Sequence, residues 1–188
     1  MDQRLADLLQ QFQLERLEVN LFRGRSPQDG WQREMNLGHK ELGLRGIKLL
    51  PMYAGFRPDD DLLDPLWVYA SQHKLPVLLH TGTTFLSQAP LECTLPRHLD
   101  PVAARFPDVP IIMAHPSFPW QDEAISVCLH KPQVYIDLSG WSPKYFSPTL
   151  IQYANSLLKH KVLFGSDYPW LTPDRWMADF ATIGGGII

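Results

Sequence analysis

Short apolar runs that each end in a residue able to hold a metal or move a proton constrain this chain more than any other feature. Val162-Leu163-Phe164 passes through Gly165-Ser166 and presents Asp167. Val77-Leu78-Leu79 ends in His80, followed by Thr81-Gly82, and Ile111-Ile112-Met113-Ala114 ends in His115, followed by Pro116. Continuous apolar runs of this length read as strands buried on both faces of a parallel sheet. In such sheets, ligands bind just past the C-terminal strand ends. One histidine at a strand end is ordinarily structural; three such ends in one chain point to a site.

Strands are expected at Leu17–Phe22, Gly46–Leu50, Pro76–Leu79, Val109–Ala114, Gln133–Leu138 and Lys161–Phe164. They recur about every 30 residues, the size of one strand-plus-helix unit. Between them stand helix-start signals in which an N-cap residue precedes proline: Ser26-Pro27, Asp64-Pro65, Asp100-Pro101, Ser147-Pro148 and Thr172-Pro173. The chain opens on an amphipathic helix with Leu5, Leu8, Leu9 and Phe12 on one face. A last helix is expected over Arg175–Ile183, before Gly184-Gly185-Gly186.

Alternating strands and helices imply a parallel α/β sheet, either doubly wound or closed into a barrel. No dinucleotide-binding or Walker A glycine pattern follows any strand. Functional residue types at several strand ends favour the barrel. Eight units need about 240 residues, and this chain has 188. It therefore reads as one TIM-barrel-type domain over 1–188, of about six units, cut short at the N-terminus and at the C-terminus.

A net charge of -3 offers no basic stripe for nucleic acid. Two cysteines, Cys93 and Cys128, form neither a disulfide framework nor a CxxC knuckle. Without a signal-peptide pattern or an apolar run of membrane length, the expected compartment is the cytosol, with no membrane partner.

Gly46-Ile47-Lys48-Leu49, Leu75–Gly82, Ala114-His115-Pro116 and Phe164–Pro169 together resemble the amidohydrolase superfamily. The similarity is to its amidohydrolase-related group, with aminocarboxymuconate-semialdehyde decarboxylase, resorcylate decarboxylases and lactone hydrolases. That resemblance implies a metal-dependent hydrolase or decarboxylase acting on a small carbonyl or carboxylate compound. It makes His80 a metal ligand, His115 an acid/base and further ligand, and Asp167 a ligand and general base. The implied cation is divalent, zinc or else manganese.

The His-x-His that supplies two ligands in that family's first strand has no counterpart here, so the resemblance equally allows a chain that has lost its metal. Such a chain is the alternative reading: a catalytically silent barrel remnant that acts as an interaction or regulatory protein. Unpaired barrel edges would then invite homo-oligomers. Lys48 reads as an inward-facing substrate contact, and Trp120 and Trp170, with Trp141, as pocket walls. Asp137, inside a strand, reads as a buried hydrogen-bonding group. His39, His73, His98, His130 and His160 fall in or near helices, where a cation suits a C-terminal dipole, and are not counted as ligands.

Overall fold

The computed structural model describes residues 35–183. Within them, five parallel strands form one sheet: β1 (Ile47–Leu49), β2 (Val77–His80), β3 (Ile111–Ala114), β4 (Val134–Asp137) and β5 (Val162–Leu163). Each strand pairs with the next in sequence, giving the order β1-β2-β3-β4-β5. A doubly wound sheet would reverse its order at a switch point. This one never does, so it is an arc of a β/α barrel. The expected strand Leu17–Phe22, the opening helix, the Ser26-Pro27 start and the glycine-rich end lie outside the described residues.

The helices are α1 (Pro51–Ala54), α2 (Asp64–His73), α3 (Leu99–Arg105), α4 (Gln121–His130), α5 (Pro148–Ala154) and α6 (Pro173–Phe180). Alternate strand residues Val77, Leu79, Ile111, Met113, Val134 and Ile136 are fully buried, in one core with Trp67, Leu99 and Leu150. The other face carries Lys48, Leu78, His80, Tyr135 and Asp137, all half-buried. Side chains alternate along a strand, so this face is the inner wall of the arc. Register places His80 opposite Ala114 and Ala114 opposite Asp137. A small alanine thus separates an imidazole from a carboxylate.

Two of the expected caps form. Ser147 accepts from Leu150 N–H at 3.1 Å, and Thr172 accepts from Arg175 N–H at 3.4 Å. Asp64 and Asp100 correct the pattern, because both lie inside their helices rather than capping them. Their carboxylates pair instead with Arg105 (2.8 Å) and Lys131 (3.3 Å), which tie neighbouring units together. The last helix also begins earlier than expected, at Pro173, once Thr172 caps it. Trp176 on α6 is buried and donates its indole N–H to Leu138 O at 3.1 Å, which pins the helix to the end of β4.

Candidate active site

The site is built where β2, β3, β4 and β5 run out into loops. His115, Ser117 and Asp167 each follow a strand with left-handed backbone, at φ 76°, 61° and 68°. For non-glycine residues this conformation costs on the order of 1–3 kcal/mol each, and such strain gathers at functional sites. Turned this way, His115 reaches back across the sheet end. Its Nε2 lies 3.0 Å from His80 Nδ1, and its Nδ1 lies 3.1 Å from Ser139 O and 3.2 Å from Ser139 Oγ. Ser139 in turn donates its Oγ–H to Asp137 Oδ2 at 3.0 Å and its N–H to Asp137 Oδ1 at 2.8 Å.

These contacts form one chain, His80–His115–Ser139–Asp137, and its protons can be assigned. A carbonyl only accepts, so the bond to Ser139 O puts a proton on His115 Nδ1. A neutral His115 then accepts at Nε2, which puts the shared proton on His80 Nδ1. His80 Nε2 is left with a bare lone pair, and that atom is buried without a hydrogen-bond partner. Neutrality of both rings follows from their surroundings. Burial, then the neighbouring His115, then the Lys48 charge push the His80 pKa down to about 3, against the opposing pull of the Thr83 and Gly82 backbone. Burial and the Lys48 charge push His115 down to about 4. Asp137 moves the other way: burial raises it to about 6, against hydrogen bonds from Ser139 and the charge of Lys48.

Glycines make room for this packing. A Cβ on Gly140 would stand 2.2 Å from His115 Nδ1, and one on Gly165 would stand 2.4 Å from Asp137 Oδ1. Beneath the histidines, Thr81 Oγ1 sits 2.7 Å from Ser117 Oγ and donates to Ala114 O at 3.1 Å, so the two loops are sewn together.

Of the residues singled out from sequence, His80 and His115 are in direct contact, and the charge of Lys48 is felt by both. Asp167 is exposed at the mouth, and its charge acts on Asp137. Trp120 is half-buried at the start of α4, while Trp170 is 89% exposed. Trp141 packs against Phe118, with ring centroids 4.9 Å apart. Ser139 was not foreseen, although Asp137-Leu138-Ser139-Gly140 carries the signal of an aspartate accepting from the backbone two residues on.

His98 corrects the dipole argument. It stands before α3, at the wrong helix end, and is held by Glu92 (2.9 Å) and Asp59 (3.4 Å).

A buried, unprotonated imidazole nitrogen fits one ligand of a divalent cation. Among the described residues, no three His, Cys, Asp or Glu side chains are grouped closely enough to hold a metal ion. His80 is therefore a primed donor within a set that these residues do not complete.

A family model described as amidohydrolase matches residues 2–185. The chain belongs to the amidohydrolase family. No curated protein matches it. Among solved structures, this amidohydrolase is similar to the uncharacterized TIM-barrel protein Bb4693 from Bordetella bronchiseptica: 29% identity, TM-score 0.73, covering 84% of this chain and 56% of that one. It also shares its fold with a 2,6-dihydroxybenzoate decarboxylase bound to 2,6-dihydroxybenzoate, at 15% identity and TM-score 0.58, covering 84% of this chain and 62% of that one. A third fold relative is a manganese-bound 5-carboxyvanillate decarboxylase from Novosphingobium aromaticivorans, at 16% identity and TM-score 0.57, covering 82% and 56%. The amidohydrolase chain thus spans 56–62% of the length of these relatives. Its five-stranded sheet is an incomplete barrel of their kind. Among the described residues, no helix is long and apolar enough to cross a membrane.

Proposed function

We propose that this amidohydrolase is a metal-dependent enzyme that hydrolyses or decarboxylates a small carbonyl or carboxylate compound. The observation that carries the proposal is the bare, buried His80 Nε2, fixed by its hydrogen bond to His115. His80 through Nε2 and Asp167 through its carboxylate would hold a divalent cation, zinc or manganese. Bound there, it would supply Lewis-acid polarisation of a substrate oxygen.

The chain's own groups do the rest. His115 spends both ring nitrogens on Ser139 and His80, so its first role is to orient His80 rather than to act as a further ligand. As an acid/base toward substrate it would first have to release one of those two bonds. Lys48 brings a positive charge to the inner wall, which favours an anionic substrate. Asp167, exposed at the mouth, is placed to accept a proton. Phe118 and Trp141 offer an apolar wall, with Trp120 and Trp170 as outer contacts. The decarboxylases among the fold relatives act on aromatic carboxylates, by their names, and that substrate class suits a cationic, aromatic-walled site.

A screen of small carboxylates, lactones and amides, run with added Mn²⁺ or Zn²⁺, tests this reading. Turnover that His115→Ala lowers by about 10²–10⁴-fold supports it. The competing reading, a folded but catalytically silent chain, is favoured by the incomplete donor set. It prevails if no compound turns over and no metal is retained.

A further inference from the structure

With a proton on His115 Nδ1, as its bond to the Ser139 carbonyl requires, all the protons of the His80–His115–Ser139–Asp137 chain point one way. His80 Nδ1–H is directed at His115, His115 Nδ1–H at Ser139, and Ser139 Oγ–H at Asp137. A carboxylate and a carbonyl only accept, so neither the Ser139 carbonyl nor the Asp137 carboxylate can be turned into a donor. Ser139 is held there twice, by Oγ–H and by its backbone N–H. Gly140 follows at φ 74° and lies against the His115 ring, so the turn that Asp137 closes also aims the Ser139 carbonyl.

We propose that Asp137 is a positioning residue that holds the Ser139 hydroxyl proton away from His115 Nδ1, and so protects the tautomer, fixed by the Ser139 carbonyl, that leaves His80 Nε2 bare. Among the hydrogen bonds of the site, those of Asp137 come from Ser139 and not from either imidazole. It acts two links away, through Ser139 and His115. This role holds whatever compound the site takes.

The isosteric change Asp137→Asn isolates it. The amide oxygen can still accept the Ser139 N–H, while the amide NH₂ now donates to Ser139 Oγ. The serine hydroxyl must send its proton elsewhere, and His115 Nδ1 is 3.2 Å away. Accepting there gives up the bond to Ser139 O and moves the His115 proton to Nε2, which then donates to His80 Nδ1. The His80 proton is displaced to Nε2, and the donor nitrogen is lost. An aspartate-to-asparagine change that produces the wrong imidazole tautomer has a precedent in serine proteases. Removing the hydroxyl as well should cancel the effect, because the Ser139 carbonyl alone still requires a proton on His115 Nδ1.

The experiment is nitrogen-15 spectroscopy of the histidine rings in the full chain, stripped of metal with chelator, near neutral pH. The wild type and Ser139→Ala are expected to show His80 with Nδ1 protonated and Nε2 bare. Asp137→Asn is expected to show the two exchanged, and Asp137→Asn/Ser139→Ala to show the wild-type pattern restored. Mn²⁺ titration of the same samples should give about 10–100-fold weaker binding for Asp137→Asn alone. Wild-type tautomers in Asp137→Asn, or a protonated His80 Nε2 in the wild type, would overturn the proposal. Should Asp137→Asn fail to fold, neutron diffraction from the wild type decides. Deuterium on Ser139 Oγ directed at Asp137 supports the assignment, and deuterium directed at His115 refutes it.

Discussion

His80 Nδ1 and His115 Nε2 stand 3.0 Å apart, with ring centroids 4.6 Å apart and the planes inclined at 69°, so the two imidazoles share a single proton. Charging both rings would put a proton on each facing nitrogen, remove that bond and set two cations side by side next to Lys48. Burial and the Lys48 charge oppose even the first added proton, so the pair is most stable while neutral.

Acid should therefore weaken the metal-free fold. Folded pKa values of about 3 for His80 and about 4 for His115 lie below the unfolded value of 6.5. Their contribution is complete above pH 6.5 and is lost as pH falls through the folded values. Asp137, raised to about 6, works in the opposite sense: its contribution is present at low pH and is lost as pH rises through 6. At about 1.4 kcal/mol per pKa unit, two imidazoles outweigh one carboxyl. Urea unfolding should show a net loss of roughly 2–3 kcal/mol between pH 7 and pH 5, shrinking to under about 1 kcal/mol in His115→Asn. An equal loss in both proteins would contradict this account.

Gly140→Ala should be far more damaging than Gly43→Ala. Both positions have positive φ, 74° and 69°, so both substitutions carry backbone strain of about 1–3 kcal/mol. Only at Gly140 does the new methyl meet His115 Nδ1, at 2.2 Å; at Gly43 nothing lies within 4 Å. The extra penalty should appear in denaturant midpoints and as a loss of metal binding. Equal effects at the two sites would remove the glycine from the account of the site.

The two thiols should be inert in the folded chain. Burial pushes Cys128 up to about 12, and its S–H reaches Val134 O at 3.4 Å. Burial, with the charges of Asp60 and Glu92, also raises Cys93. Thiolate is the reactive form, so a disulfide reagent at pH 8 should label neither residue until the protein unfolds. Rapid labelling of the native protein would place one of them in a more open setting.

Much of this was legible in the residues themselves. The apolar runs marked β1 to β5, and Ser147 and Thr172 announced their caps. The histidines at the ends of β2 and β3 pointed to the site. Asp64-Pro65 and Asp100-Pro101 misled because an aspartate can serve a basic partner in the next helix as readily as a helix end. That choice depends on tertiary neighbours such as Arg105 and Lys131. The left-handed turns at His115, Ser117 and Asp167 could not be read, since packing rather than local preference imposes positive φ on such residues. Ser139 escaped notice because its importance lies in what it links: a carboxylate one strand away from the histidine it holds.

The account turns on whether His80 presents its bare nitrogen to a cation, and elemental analysis of the full chain tests that most directly. Wild-type protein dialysed against Mn²⁺ or Zn²⁺ and then desalted should retain about one equivalent per chain. His80→Gln, treated identically and shown to be folded, should retain almost none. A wild type that emerges metal-free, or a His80→Gln variant that keeps its metal, would contradict the assignment.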